Sequence, residues 1–473
     1  MRSKPIVVDL DGTLIRSDLL VESGFAFLKC APHRFYEPLV WLVRGGKPSL
    51  KAKLAECTAV DVTVLPYDKH LLEWLRAERA AGRTLVLATA SHERYAKAIA
   101  QHLGLFDKVF ASSEQVNLSA RAKREALVAE YGEQGYDYVG NSHDDVPVWQ
   151  SADRAYLVNP LRGVERAARK RDNVEQVFEN RPNPLKVAAK SLRLHQWLKN
   201  LLIFIQLLAG HHLRSMPLLS ALVAFLTFGM CASSVYLLND LLDLEDDRHH
   251  PVKHRRPLAS GAMPLAWGIA LFPVLLVAAF SIAWIFLPWR FSAVLLGYYA
   301  LTLAYSMVLK RRVMVDVVVL AGLYTVRIIA GTAAIGTHLT FWLLAFSMFI
   351  FLSLALVKRY AELEAMQARG LVKSRGRGYV ASDLPLLCSL GTASGYLSVL
   401  VLALYIQDRG TAALYHHPQI IWMACPLLLY WISRTWIITH RGKMHDDPIV
   451  FAARDRTSLI VVALCGLIFW LAL

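Results

Sequence analysis

Cysteine is scarce in this chain, and its arrangement excludes two classes of protein. Only six cysteines occur among 473 residues, and none forms a Cys-x-x-Cys pair. Neither a disulfide framework nor a structural zinc site is therefore expected. A secretory signal is not expected either, because the apolar run from Pro5 to Leu10 is far too short and contains Asp9.

Acidic residues are outnumbered by basic ones, which gives a formal net charge of +15. The excess of Lys and Arg lies mainly in loops between apolar segments, which favours anionic phosphates and a lipid surface over nucleic acid as partners. The mean hydropathy is +0.37, and most of the apolar residues lie after about residue 195. Before that point, short apolar strands such as residues 6–8 and 84–87 indicate a soluble α/β domain.

The apolar part of the chain is expected to cross a membrane. Nine segments are long enough to cross, or nearly cross, a hydrocarbon core of ~30 Å. They cover residues 194–213, 216–238, 264–288, 291–309, 313–335, 339–357, 384–406, 417–438 and 457–473. We therefore expect nine transmembrane helices.

The loops between these segments differ in charge, and this difference predicts an orientation. Loops after the even-numbered segments contain about eighteen Lys and Arg, including residues 310–312 and 373–377, and the other loops about three. The positive-inside rule then places the even-numbered loops, the N-terminal domain and the active sites in the cytoplasm. The expected location is the cytoplasmic (inner) membrane, with the C-terminus on the opposite side.

An acidic segment follows the second apolar run. Asp240, Asp243 and Asp247 are spaced i, i+3 and i+7, which would place them on one face of a continuous helix, with Asn239 just before them. Carboxylates close to the membrane are costly and mark functional sites. Mg²⁺ commonly bridges such carboxylates to substrate phosphates. The spacing favours a Mg²⁺ site over a solvated acidic loop paired with nearby cations.

The surrounding residues resemble the UbiA superfamily of intramembrane prenyltransferases. Residues 239–248 are similar to its first aspartate-rich motif, and residues 256–261 read RPLASG. Tyr305 and Lys310 belong to a YxxxLK element of the same superfamily. The resemblance covers roughly residues 190–473. It implies an all-α bundle of nine transmembrane helices and a Mg²⁺-dependent transferase.

One departure from the aromatic-acid branch of this superfamily is informative. That branch usually has a second Asp-x-x-x-Asp motif after the sixth span, where this chain reads Lys-Arg-Tyr-Ala-Glu-Leu at 358–363. This run is similar to the decaprenyl-phosphate phosphoribosyltransferase branch, as are residues 193–200 and Asp316, Tyr324 and Arg327. That branch joins phosphoribosyl pyrophosphate to a polyprenyl phosphate and releases pyrophosphate. Additional cations suit a donor that also carries a 5-phosphate.

These resemblances imply roles for individual residues of the membrane part. Asp240, Asp243 and Asp247 would be catalytic and would bind Mg²⁺ and the pyrophosphate leaving group. The substrate-binding candidates are Asn239, Lys253, Arg256, Tyr305, Lys310, Arg327, Lys358, Arg359 and Glu362.

A second set of polar residues follows the predicted strands of the N-terminal part. Asp9 and Asp11 end the first strand, and alternation places both on the same side. Two such carboxylates can act as nucleophile and general acid/base around a metal. Thr89 ends a second strand, Lys123 lies where a helix begins, and residues 138–145 close a third strand with acidic groups.

In this order the motifs resemble the haloacid dehalogenase superfamily, an α/β (Rossmannoid) fold with a cap. The resemblance implies that Asp9 is the nucleophile and Asp11 the proton donor. Thr89 and Lys123 would bind the phosphoryl group. The implied Mg²⁺ ligands are Asp9, Asp11, Asn141 and Asp145. Asn141 stands where many members have Asp, which removes one charge from the metal site.

The expected organisation is a hydrolase-like domain at 1–180 with a helical cap at about 15–75, a linker at 181–193, and a membrane transferase domain at 194–473. We interpret the chain as a bifunctional enzyme whose phosphatase acts on the phosphoribosylated lipid. One alternative transfers a prenyl group from polyprenyl diphosphate to an aromatic or other small acceptor. Another is a transporter with a regulatory soluble domain. A structural or regulatory role for the hydrolase-like domain also stays open.

Overall fold

A computed structural model describes residues 4–113, 116–209, 215–337, 339–368, 370, 378–408, 415–444 and 447–473. The chain divides into two compact units. The first comprises Met1–Leu192 and Tyr236–Phe272, and the second comprises Arg193–Val235 and Pro273–Leu473. The segment after the second predicted span therefore belongs with the N-terminal part. The basic run predicted at 373–377 lies outside the described residues.

The first unit is built on a parallel sheet of six strands. The strands are β1 (Ile6–Val8), β2 (Leu85–His92), β3 (Lys108–Ser112), β4 (Asp137–Gly140), β5 (Ala155–Val158) and β6 (Val174–Phe178). Their order is β3-β2-β1-β4-β5-β6. From β1 the chain adds β2 and β3 on one side, and then β4, β5 and β6 on the other side. The gap between β1 and β4 is therefore a topological switch point, where ligands of open α/β sheets bind.

The first unit also contains helices, some of which pack on the two faces of this sheet. They are α1 (Leu19–Cys30), α2 (Glu37–Cys57), α3 (Lys69–Ala80), α4 (Glu93–Leu103), α5 (Ala120–Tyr131), α6 (Val146–Trp149), α7 (Val164–Ala168) and α8 (Pro184–Ser191). Side chains alternate between the faces, so Ile6 and Val8 pack with Leu75, whereas Val7 packs with Leu127 in a separate core. The predicted α/β fold is confirmed, and α1 and α2 occupy the region predicted as the cap.

The remaining chain is helical. It contains α9 (Ile205–Ala209), α10 (Ser215–Leu242), α11 (Leu244–His249), α12 (Leu265–Phe286), α13 (Trp289–Met307), α14 (Val315–Ile335), α15 (Phe341–Gln367), α16 (Leu384–Gln407), α17 (Ala424–His440), α18 (Pro448–Ala452) and α19 (Arg456–Ala472). Among the described residues, six helical segments are long and apolar enough to cross a membrane, and α19 is a shorter apolar helix. The count of nine spans stays a prediction.

The first predicted span differs from a regular α-helix. Its described part is a 3₁₀ helix, Leu194–Phe204, followed by the short α9.

In the second unit, α15, α16 and α17 approach closely because α16 carries glycine at the contact. A Cβ atom on Gly391 would overlap Trp436, whose indole nitrogen donates to Ser353 at 3.1 Å. Small residues allow such close packing of apolar helices.

Candidate active sites

Asp9, which follows β1, is the centre of a buried hydrogen-bond network in the first unit. The ammonium group of Lys123 donates to Oδ1 of Asp9 at 2.7 Å and to the hydroxyl of Tyr138 at 2.9 Å. That hydroxyl donates to Oδ1 of Asp145 at 2.7 Å. The fold thus brings together three residues that the sequence predicted, and it adds Tyr138, which was not predicted to act.

Burial and charge set the protonation states in this network. Burial raises the pKa of Asp9 to about 6. Burial also opposes the charge of Lys123, yet the carboxylates of Asp9 and Asp145 raise the pKa of this lysine. Burial disfavours the charged form of Asp145 too, but Lys123 and the Tyr138 hydroxyl keep its pKa below the ordinary value. Lys123 is therefore a fixed positive charge, as a phosphoryl-binding group must be.

Asp11 has a different environment from Asp9. Its Oδ1 accepts a hydrogen bond from the backbone nitrogen of Leu19 at 2.9 Å, and its Oδ2 accepts from the hydroxyl of Ser91 at 2.6 Å. Burial and the nearby carboxylate of Asp18 raise the pKa of Asp11 to about 7. A carboxyl group with a pKa near neutrality can hold and deliver a proton. This property fits the proton-donor role predicted for Asp11.

Thr89 lies on β2 and Asn141 directly follows β4, and both strands are neighbours of β1. Strand β2 continues to His92, so the prediction that Thr89 ends the strand is wrong; the ladder continues past it with an irregular register after Ala88. Thr89 is fully buried, and its hydroxyl oxygen accepts from the backbone nitrogen of Ser91 at 2.9 Å. Gly12 has a φ of +76°, and a Cβ atom there would overlap the Asn141 side chain.

The donor set of this site fits a hard divalent cation. Among the described residues, Oδ2 of Asp9 accepts one long hydrogen bond, from the Thr13 hydroxyl at 3.4 Å. This oxygen can therefore also bind a metal ion. Asn141 is adjacent to the same turn. Oδ2 of Asp145 instead accepts from the backbone nitrogens of Asn141 and Ser142 and from the Ser142 hydroxyl. Asp145 thus holds the loop and Lys123, and its binding of Mg²⁺ stays a prediction.

A second lysine comes from the cap region. Nζ of Lys51, on α2, donates to the carbonyl oxygen of Ala90 at 2.6 Å and to the side chain of Asn117 at 3.2 Å. Burial lowers the pKa of Lys51, although Asp11 and Asp18 favour its charged form. No sequence motif singles out this lysine, because its place beside β2 depends on how α2 packs.

The acidic loop, residues 239–261, carries the predicted metal site of the transferase. Asp240 lies on the last turn of α10 and Asp247 on α11, and both are buried. Nη1 of Arg256 lies 3.1 Å from Oδ1 of Asp240 and 2.5 Å from Oδ2 of Asp247. Burial raises the pKa of Asp247, and Arg256 opposes this change. Two buried carboxylates that converge on one cationic atom also suit a divalent cation.

The helix expected to carry the three aspartates on one face is interrupted at Asp243. Helix α10 ends at Leu242, and Asp243 is the N-cap of α11, with a φ of −103°. Asp240 and Asp247 nevertheless both reach Nη1 of Arg256 across this break. The Asp243 side chain is 28% exposed, and its Oδ1 lies 3.8 Å from Nζ of Lys29. Asn239 precedes Asp240 on α10, and Lys253 begins a 3₁₀ turn.

Helix α1 holds the acidic loop within the first unit. The guanidinium group of Arg248 donates to both carboxylate oxygens of Glu22, at 2.8 and 2.6 Å, and both side chains are buried. Nε of the same arginine donates to the carbonyl oxygen of Ala259 at 3.0 Å. Gly261 has a φ of +69°, and a Cβ atom there would overlap Arg16. Arg248 therefore joins α11 to the RPLASG turn.

The second unit contains a cluster of two lysines on one aspartate, here called the lysine cluster. Oδ2 of Asp447 accepts hydrogen bonds from Lys199 at 2.7 Å and from Lys358 at 3.0 Å, and the Tyr324 hydroxyl donates to both of its oxygens. Burial alone would raise the pKa of Asp447, but Lys358 and Lys199 hold it well below its ordinary value. Asp447 was missed because Asp-Pro at 447–448 indicates only a helix N-cap.

Arg359 lies in a different network from its neighbour Lys358. Its Nη2 lies 2.6 Å from Oδ2 of the fully buried Asp316, and the Tyr379 hydroxyl donates to the other oxygen at 2.5 Å. Nη1 of Arg359 donates to Glu362. Arg359 is only 1% exposed. Arg359 and Glu362 therefore pair with each other in the bundle, and their predicted contacts with substrate stay a prediction.

We expect Arg359→Gln to destabilise the protein rather than change substrate affinity. The substitution leaves the Asp316 carboxylate buried without its cation, which costs about 3–5 kcal/mol. The measurement is thermal unfolding of the purified protein in detergent. Adding Asp316→Asn to this variant should restore most of the lost stability, because no unpaired charge then remains. A large rise in donor KM at unchanged stability would contradict this assignment.

The other predicted residues of the second unit lie in distinct settings. Arg327 is buried, as predicted for a mid-span cation, and its Nε donates to the Asn200 side chain at 3.0 Å. Its guanidinium carbon lies 5.2 Å from the ring centre of Tyr298, within the range of a cation–π contact. Tyr305 is half-buried on α13, and Lys310 lies in the 3₁₀ turn that follows.

Two family profiles match the chain. The UbiA prenyltransferase family matches residues 201–471, and haloacid dehalogenase-like hydrolase matches residues 6–150. The first match spans more than half of the chain. It also includes the acidic loop and the lysine cluster except for Lys199.

Similar proteins cover one or both parts. The uncharacterized protein y4nM of Sinorhizobium fredii is 37% identical over 100% of this chain and 92% of its own length. The decaprenyl-phosphate phosphoribosyltransferase of Mycobacterium tuberculosis is 32% identical over 56% of this chain and 87% of its own.

Among solved structures, a UbiA homolog from Archaeoglobus fulgidus bound to DMAPP and Mg²⁺ is 18% identical, with a TM-score of 0.46, over 60% of this chain and 98% of that one. The sequence similarity to y4nM extends through both parts of the chain. From the family match and the apolar helices it follows that this chain is an integral membrane transferase of the UbiA prenyltransferase family that carries an N-terminal haloacid dehalogenase-like domain.

Proposed function

We propose that the membrane part transfers phosphoribose from phosphoribosyl pyrophosphate to a polyprenyl phosphate and releases pyrophosphate. The observation that carries this proposal is the lysine cluster. Lys358 belongs to the basic run that replaces the usual second acidic motif, and it meets Lys199 on Asp447. Two lysines there suit a donor with an additional phosphate. The similarity to a decaprenyl-phosphate phosphoribosyltransferase supports the same substrates.

The acidic loop has the chemistry that departure of pyrophosphate needs. The bond between ribose C1 and the pyrophosphate oxygen breaks, the electron pair leaves with pyrophosphate, and a lipid phosphate oxygen forms the new bond to C1. Mg²⁺ held by Asp240, Asp243 and Asp247 would neutralise the charge that develops on the leaving group. Arg256, already between two of these carboxylates, can add a charge-assisted hydrogen bond to the pyrophosphate. Such fixed charges stabilise the transition state electrostatically.

The lysine cluster would bind the 5-phosphate of the donor. Lys358 has a side chain that is 29% exposed, so it is accessible to a ligand, whereas Lys199 is 8% exposed. Each ammonium group has three N–H donors, so a phosphate can bind both lysines while Asp447 keeps its hydrogen bonds to them. Asp447 would then orient the lysines by accepting one hydrogen bond from each before the donor arrives.

The N-terminal domain would remove the 5-phosphate from the lipid-linked product. A carboxylate oxygen of Asp9 would attack the phosphorus, and Lys123 would neutralise the phosphoryl oxygens. Asp11, whose pKa the surroundings raise to about 7, would deliver a proton to the departing 5-oxygen. Water would then hydrolyse the aspartyl phosphate and release inorganic phosphate. We place the enzyme in the cytoplasmic membrane with both sites on the cytoplasmic side, as the charges of the loops predict.

Lys358→Gln should raise the KM for phosphoribosyl pyrophosphate by about tenfold or more, with little effect on the KM for the lipid. Losing one hydrogen bond from a charged group to phosphate costs about 1.5–3 kcal/mol. The measurement is pyrophosphate release by purified protein in detergent, with each substrate varied in turn. Lys443→Gln is the matched control, because Lys443 is an exposed lysine four residues before Asp447 in the sequence and outside the cluster.

The same experiment separates the proposal from its alternative. If the chain instead transfers a prenyl group, the lysines would bind the lipid diphosphate, and Lys358→Gln would raise the KM for the lipid. If Lys358 only anchors its helix, both constants would stay unchanged while the yield of folded protein falls. An unchanged KM for phosphoribosyl pyrophosphate would therefore contradict the proposed donor.

A further inference from the structure

The cap region exposes a group of large apolar side chains that no active site uses. The apolar cap patch consists of Phe35, Tyr36, Leu39, Leu42 and Val43, which are 69%, 54%, 65%, 40% and 78% exposed. They lie at the start of α2 and in the turn before it. Soluble surfaces carry isolated apolar residues, but a contiguous group of this kind marks an interaction site.

The patch occupies one face of the first half of α2. Its members are spaced i, i+3 or i+4, and i+7 or i+8, which places them on one stripe of a helix. The opposite side of the same helix already has its partner. There Trp41 packs edge-on against Phe27 of α1, with ring centres 5.2 Å apart. The internal packing of the cap therefore does not account for the exposed stripe.

We propose that the apolar cap patch inserts into the surface of an anionic lipid bilayer. The charge around the patch supports this partner. Arg44 and Lys47 follow the patch and are exposed, His33 precedes it and is exposed, and Arg34 is paired with Glu37. An apolar stripe flanked by cations is the pattern of helices that lie in the membrane interface, and cations near the surface attract anionic headgroups.

A bilayer is always close to the patch, because the chain itself is anchored in one. The chain carries apolar helices long enough to cross a bilayer, so the N-terminal domain is tethered to one permanently. Tethering holds the patch at a high local concentration beside the lipid surface, where even a weak interfacial contact persists. A separate soluble protein would have to be recruited from solution, and a second copy would have to diffuse to the patch within the membrane.

The patch is connected to the hydrolase site by a single helix. The chain bends at Gly46, which has a φ of +65°, and the second half of α2 carries Lys51 to the carbonyl oxygen of Ala90 beside Ser91. Insertion of the first half would therefore place the active-site half of the cap next to the headgroups. This use of the patch rests on the proposed function, in which the phosphatase substrate is a lipid-linked sugar phosphate.

Depth-dependent fluorescence quenching tests the insertion independently of any activity. An environment-sensitive fluorophore is attached to Val43→Cys in the full-length protein, with the exposed cysteines Cys30 and Cys57 replaced by Ser. The protein is placed in nanodiscs of phosphatidylcholine and phosphatidylglycerol, with or without spin-labelled acyl chains. We expect quenching of at least about twofold at position 43, as for a residue ~5–10 Å deep. Lys97→Cys, on the exposed face of α4, is the control and should not be quenched.

The functional consequence has its own comparison. Leu39→Ser/Val43→Ser should slow phosphate release from the lipid-linked substrate about tenfold, as expected from loss of local concentration. The double variant should hydrolyse a soluble phosphate ester at the wild-type rate. Leu161→Ser changes an exposed apolar residue outside the patch, and this control should release phosphate from the lipid-linked substrate at the wild-type rate. Quenching at position 43 with no phosphatase activity would uphold the insertion and count only against the proposed substrate. Equal quenching at positions 43 and 97 would overturn the proposal. So would a fluorophore at position 43 that is shielded from water in a dimer but is not quenched by the spin-labelled lipids.

Discussion

Asp240→Asn should reduce pyrophosphate release by more than about a hundredfold at saturating Mg²⁺, because a lost metal ligand costs several kcal/mol in the transition state. Asp240 is 3% exposed and shares Arg256 with Asp247, so the substitution changes the charge at the point where both carboxylates converge. Asparagine keeps the size and polarity of the side chain, and the fold should survive. The initial rate of pyrophosphate release is the measurement.

Asp246→Asn is the matched control for this prediction. It makes the same change of charge on the same loop, but its carboxylate is 72% exposed and pairs with Lys29 at 2.6 Å. We expect this variant to keep most of the activity, since an exposed ion pair contributes ~0–1 kcal/mol. Similar losses in both variants would point to the net charge of the loop rather than to a metal site. Asp243→Asn should resemble Asp240→Asn if the resemblance assigns all three aspartates correctly.

Asp9→Asn should abolish phosphate release and leave pyrophosphate release unchanged. The amide cannot act as the nucleophile, and loss of a covalent catalytic group commonly costs more than about a thousandfold. Lys123 keeps Asp145 as a partner at 3.5 Å, so its charge is not left alone. The two products are quantified separately in one assay that starts from phosphoribosyl pyrophosphate and polyprenyl phosphate.

Asp144→Asn provides the control, because Asp144 is an exposed carboxylate on the loop that holds Asp145. It should release phosphate at the wild-type rate. If Asp9→Asn also stopped pyrophosphate release at an unchanged melting temperature, the N-terminal domain would be an allosteric part of the transferase. The contact between Glu22 and Arg248 offers a physical route for such an effect, since it joins α1 to the acidic loop.

Much of the hydrolase site is predictable from sequence, because its geometry follows from the period of a strand. Apolar residues 6–8 form β1, and Asp9 and Asp11 follow at the edge where β2 and β4 also end. Parallel strands bring residues that are distant in sequence to one edge. Lys123 could be assigned for a similar reason, since α5 begins at Ala120 and directs the lysine toward Asp9.

The membrane part was less predictable, because neighbouring residues on a helix point in directions about 100° apart. Lys358 and Arg359 were expected to act together, yet one contacts Asp447 and the other Asp316. The sequence shows that they are adjacent but not which face of α15 each occupies. The break at Asp243 has a similar origin, since Asp serves both as a helix residue and as an N-cap.

The donor assay tests the central claim most directly. Purified protein in nanodiscs is offered either radiolabelled phosphoribosyl pyrophosphate with polyprenyl phosphate, or radiolabelled polyprenyl diphosphate with aromatic acids, and Asp240→Asn protein serves as the blank. The proposal predicts that the first pair moves ribose label into the lipid fraction, with pyrophosphate released in equal amount, and that the second pair yields no prenylated aromatic acid. Transfer of the prenyl label to an aromatic acid, without any phosphoribosyl lipid, would contradict it.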